Sequence, residues 1–72
     1  MSLQTAKTKA GYIVLSEPEC RQVRQALLEY GDHGAQKRFG ISKFTLARAA
    51  LGCEIQVGSA AVIRQTLERE AP

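Results

Sequence analysis

The chain has 72 residues, a formal net charge of +3, two cysteines and one histidine, which allows one small domain that buries only roughly 60% of its unfolded surface. There is no Ser-His-Asp set, no glycine-rich phosphate loop and no metal-spaced cluster, so no enzyme, cofactor, metal or small-molecule ligand is expected. Cys20 and Cys53 stand far apart outside any C-x-x-C pattern, as reduced structural thiols do, and no apolar run reaches the ~20 residues of a membrane span or the core of a leader, so a soluble cytoplasmic protein is expected.

Residues 1–10, MSLQTAKTKA, are small and polar with Lys7 and Lys9 and show no apolar period, which predicts a flexible arm. After Gly11, Tyr12-Ile13-Val14-Leu15 is a β-branched and aromatic run too short for a helix, and it reads as one short strand. A strand needs a partner. Within the chain the candidate is Glu54-Ile55-Gln56-Val57; the alternative is the same strand of a second subunit.

Ser16-Glu17-Pro18-Glu19 has the form of a capping box with proline in the first turn, where its missing N–H costs nothing. A first helix follows, with Val23, Ala26, Leu27 and Tyr30 inward and Arg21, Arg24, Gln25 and Glu29 outward, and Gly31 is its expected stop. Asp32 would cap a second helix through Phe39. Gly40 suits a corner, because a left-handed backbone there carries no Cβ penalty, and Ser42 offers the cap for a third helix from Lys43 to about Leu51, ended by Gly52. Ser59 would cap a fourth helix with Ala60, Ile63 and Leu67 inward, and residues 69–72 would fray. The expected architecture is mainly α: a four-helix helix-turn-helix domain over residues 11–68 with one short N-terminal strand.

Charge is distributed unevenly over these elements. From His33 to Cys53 there are four cations, Lys37, Arg38, Lys43 and Arg48, and no acid; the other six basic and seven acidic residues leave −1 on the rest of the chain. An ordinary solvated helix face would intersperse acids as partners three or four residues away. Their absence points to a polyanionic ligand. Helical spacing puts Ala35, Phe39, Ile41, Leu46 and Ala49 inward, and Lys43, Phe44, Ala47 and Arg48 outward. Phe44 is the odd member, fitting either a core position one register away or an apolar probe for a thymine methyl.

The stretch from about Ser16 to Glu68 resembles the helix-turn-helix DNA-binding domains of small bacterial and phage repressors of the lambda repressor and Cro type. Its FGISKFTLAR segment resembles lac-repressor-like headpieces, through Gly40-Ile41-Ser42 followed by Thr45-Leu46 and Arg48. The resemblance implies that Ser42, Lys43, Phe44 and Arg48 approach bases and phosphates, with Thr45 and Ala47 flanking. Gln36 stands where the family places a small residue and has to turn outward. Lys37 and Arg38 are placed to meet the DNA backbone. The expected function is double-stranded DNA binding by a homodimeric regulator, a repressor on an inverted-repeat operator. The competing class is a protein-interaction module, an adaptor or antitoxin-like subunit using the same helices. RNA binding ranks third, for lack of aromatic-bearing strands.

Overall fold

The computed structural model describes residues 10–70, so Lys7, Lys9 and the rest of the expected arm through residue 9 lie outside the described residues. The chain enters as a strand β1 (Tyr12–Ile13), then forms helices α1 (Glu17–Phe39) and α2 (Lys43–Ala50), a strand β2 (Ile55–Gln56) and a helix α3 (Val57–Arg69). Ser16 starts α1 as its sequence requires. The Ser16 hydroxyl accepts from the Glu19 amide (3.3 Å) and the Glu19 carboxylate accepts from the Ser16 amide (2.9 Å), a complete capping box.

The expected four helices and single strand are corrected to three helices and a two-stranded antiparallel sheet in a chain that is still mainly α. Two local causes account for the difference. Gly31 does break the helical geometry, with φ 77° and ψ 172°, a region that is almost exclusively glycine's, but the departure takes a single residue, and helical hydrogen bonding resumes without a loop. The expected first and second helices are therefore two arms of one kinked α1, and Asp32 forms no capping bond among the described residues. The strand, meanwhile, finds its partner in the same chain: Tyr12 pairs with Gln56 and Ile13 with Ile55.

The same ladder moves the start of the last helix. Val57 N–H donates to the Gly11 carbonyl (2.9 Å), so the first amide of α3 is satisfied by the sheet, and the extended Gln56 serves as N-cap without a side-chain bond. The helix begins two residues before Ser59, the expected cap. At its other end it runs to Arg69 with Glu70 as C-cap, one residue beyond the expected boundary at 68.

Val23, Leu46 and Ile63 are the largest fully buried side chains, one from each helix, so the core lies where the three helices meet. Leu15 and Ile55 close it from the sheet side, and Ile13, Leu27, Ile41 and Leu67 pack around its edge. Cys20 is buried with its Sγ donating to the Leu15 carbonyl (3.6 Å); it and the half-buried Cys53 are free thiols. Thr66 is buried as well, its hydroxyl returned to the Val62 carbonyl one turn back (3.0 Å). No helix among the described residues is long and apolar enough to cross a membrane.

Candidate nucleic-acid interface

The turn between the second arm of α1 and α2 is built from Gly40, Ile41 and Ser42. Gly40 adopts the left-handed conformation (φ 70°, ψ 26°) and its N–H closes on the Gln36 carbonyl (2.8 Å), ending α1. Two residues on, Ser42 is extended and its hydroxyl accepts from the Thr45 amide (3.2 Å), beginning α2. Gln36 adds a bond that sequence reading missed: its side-chain oxygen accepts from the Lys43 amide (2.9 Å). The first turn of α2 is thus capped twice, once by its own Ser42 and once from α1, which fixes how the second helix leaves the first. Gln36 does turn outward, and the outward turn is what lets it reach that amide.

At the far end Arg24 Nη1 donates to the Ala50 carbonyl (2.7 Å), one of the orphan acceptors at the C-terminus of α2, while Nη2 pairs with Glu17 (3.2 Å). Ala35, Phe39, Leu46 and Ala49 are buried and Ile41 is partly so. The inward set is as the spacing predicts. Of the outward set, Ala47 and Arg48 are exposed and Lys43 is half-buried. Phe44 is 73% exposed and Leu51 77% exposed, so Phe44 is an outward residue and the core position one register away is excluded.

These outward residues divide between two sides of α2. Thr45 and Arg48 line an open concavity of about 280 Å³ together with Tyr12, Glu54, Gln56 and Ser59. Arg48 is held there: Nε and Nη2 both donate to the Glu54 carbonyl, at 3.3 and 3.1 Å. Phe44, Ala47 and Leu51 follow one another at three- and four-residue steps toward open solvent. Ser42 acts mainly through its cap, and its hydroxyl also meets that of Thr45 (3.2 Å).

The four cations do not stand in equivalent positions. Arg38 Nε pairs with the Glu70 carboxylate (2.9 Å), and its guanidinium lies 4.4 Å from the centroid of the Tyr30 ring. The bond to Glu70 raises its pKa above the ordinary arginine value. Lys37, Lys43 and Arg48 take part in no ion pair among the described residues, although the Lys43 ammonium lies 5.7 Å from the Phe44 ring centroid. Nothing near position 38 in sequence marks Glu70 as its partner. The pair forms only because the C-terminus of α3 comes back to the second arm of α1.

A second long-range pair secures α3 to the start of α1. Arg64 donates from Nε to Glu19 Oε2 (2.7 Å) and from Nη2 to Oε1 (3.1 Å), a two-pronged geometry. The Arg64 hydrogen bonds first, and the Ser16 amide second, hold the Glu19 carboxyl well below its usual range, at about 2. One carboxylate therefore both caps α1 and anchors α3. Comparison with protein-family models, with curated proteins and with solved structures finds no match.

Proposed function

We propose that the chain is a sequence-specific double-stranded DNA-binding protein of the helix-turn-helix kind, a transcriptional repressor that acts as a cytoplasmic homodimer on an inverted-repeat operator with α2 in the major groove. The observation that carries the reading is the second helix itself. It is capped twice, stapled at its C-terminus by Arg24, and turned so that one side meets solvent within a stretch from His33 to Cys53 that contains no acid. A rigidly presented helix of this size fits a major groove about 12 Å wide.

Lys37 and Lys43 are free to meet phosphates, while Arg38 is engaged by Glu70 and serves the fold. Arg48 is braced on the Glu54 carbonyl, which leaves Nη1 for a phosphate or base edge. The subunit contact falls to the outer side of α3, where Val62 is exposed, or to the Tyr12–Leu15 strand, which β2 covers along one edge. The experiment is selection of bound sites from random duplex DNA by the purified protein. Enrichment of a two-fold site supports the reading, and no enrichment with salt-independent binding refutes it.

The exposed Phe44 and Leu51 favour the second reading, a protein-interaction module that uses α2 as its contact. Capture of a protein partner that competes with DNA, or that binds where DNA does not, would favour it.

A further inference from the structure

The most exposed side of α2 is apolar. Phe44, Ala47 and Leu51 occupy successive turns, the two large side chains 73% and 77% exposed with only a methyl between them. None of the three carries a hydrogen-bonding side chain. Of the neighbours that do, the Ser42 hydroxyl meets the Thr45 amide and hydroxyl, Gln36 accepts from the Lys43 amide, and two Arg48 nitrogens donate to the Glu54 carbonyl, which leaves the Lys43 ammonium and Arg48 Nη1 for the flanking phosphates.

From these placements we infer that α2 reads DNA chiefly through the C5-methyl groups of thymine, with Phe44 and Leu51 as the specificity-determining contacts and Ala47 as the notch between them. The inference rests on the DNA-binding reading above and deepens it. Thymine offers the one apolar feature among the base edges of the major groove, and a face without donors or acceptors can discriminate bases there only by burying it. From 44 to 51 the stripe rises about 10 Å along the helix, close to three base-pair steps at about 3.4 Å each. A run of A·T pairs of that length is the matching surface.

Charge and area decide the occupant. The stripe is bordered by Lys43, with Lys37 on the preceding helix arm, and no carboxylate occurs from His33 to Cys53; this complements a polyanion. Two large side chains and an alanine also fall far short of the roughly 800 Å² that each partner contributes to a stable protein interface. A second copy of the chain or another protein would need much more surface than this stripe supplies. A groove holding methyl groups needs only the stripe and flanking phosphates.

The experiment uses the site enriched by selection and the same duplex with every thymine in it replaced by deoxyuridine. That change removes the methyl and preserves base pairing and charge. Binding of the parent protein should weaken about fourfold per contacted methyl, the transfer free energy of one buried carbon group. Phe44→Ala should bind the thymine duplex more weakly and show a smaller penalty for deoxyuridine, so that the two changes are not additive. Circular dichroism checks that this variant folds, as an exposed alanine in a helix should allow.

Equal binding of thymine and deoxyuridine duplexes by the parent protein overturns the inference while leaving DNA binding intact. Absence of binding to any duplex overturns both. If Phe44→Ala instead abolishes self-association in sedimentation and leaves the deoxyuridine penalty unchanged, the stripe covers a second subunit and the inference is wrong.

Discussion

Replacing Gly31 by alanine isolates the conformational demand on which the whole interface depends. Gly31 sits at φ 77° and ψ 172°, and a Cβ built there would meet nothing within 4 Å. The cost of Gly31→Ala is therefore that of the dihedral angles, about 1–3 kcal/mol for a residue held in such a region. For a domain of this size each kcal/mol moves Tm by about 4–8 °C, which puts the expected loss between about 4 and 24 °C. Straightening the helix would relieve the strain, but Val23 and Ala26 before the kink and Ala35 and Phe39 after it are all buried in one core, so a straight α1 could not bury both sets. Gly58→Ala is the control. Gly58 lies in the helical backbone of α3, also with open space around a new Cβ, and the substitution should raise stability by about 0.4–1 kcal/mol by restricting the unfolded chain. The same chemical change is thus expected to act with opposite signs at two positions, read by urea and thermal unfolding. A Gly31→Ala protein as stable as the parent would refute the assignment of the kink to backbone conformation.

Three further outcomes test the interface and its supports. Because Glu19 titrates near 2 in the folded chain against an ordinary value of 4.5, its contribution should be complete above about pH 4.5 and disappear as the pH falls toward 2; Glu19→Gln should cost about 1 kcal/mol at pH 7, the size of one cap joined to a solvent-facing pair, and match the parent below pH 2 in urea titrations. Lys37→Ala should weaken binding to all duplexes alike and lower the salt slope by about one, whereas Arg38→Ala should leave the slope unchanged and reduce fold stability, because Glu70 already neutralises it; the opposite assignment in salt titrations would mean that the Arg38–Glu70 pair opens on DNA. Two α2 helices related by a two-fold axis should require inverted half-sites about 10 base pairs apart, and indifference to a five-base-pair insertion would exclude a rigid dimer.

The parts of this protein that its sequence determined are those decided within one or two helical turns. Ser16 with Glu19, Gly40 with Ser42, and the inward spacing of Ala35, Phe39, Leu46 and Ala49 depend on residues three or four apart, and local hydrogen bonding and helical period are enough to read them. Gly31 was legible as a departure from helical geometry, but whether that departure becomes a loop or a kink depends on the packing of both arms. The sequence offered residues 54–57 as a partner for β1, but only tertiary structure decided that Ile55–Gln56 pairs with it, which in turn starts α3 at Val57. It also decided which cations are free, since Glu70 lies 32 residues from Arg38 and Arg64 lies 45 from Glu19, and it turned Phe44 and Leu51 to solvent beside a braced Arg48. Those outcomes depend on where separate helices meet, and no local pattern of charge or period encodes such distances.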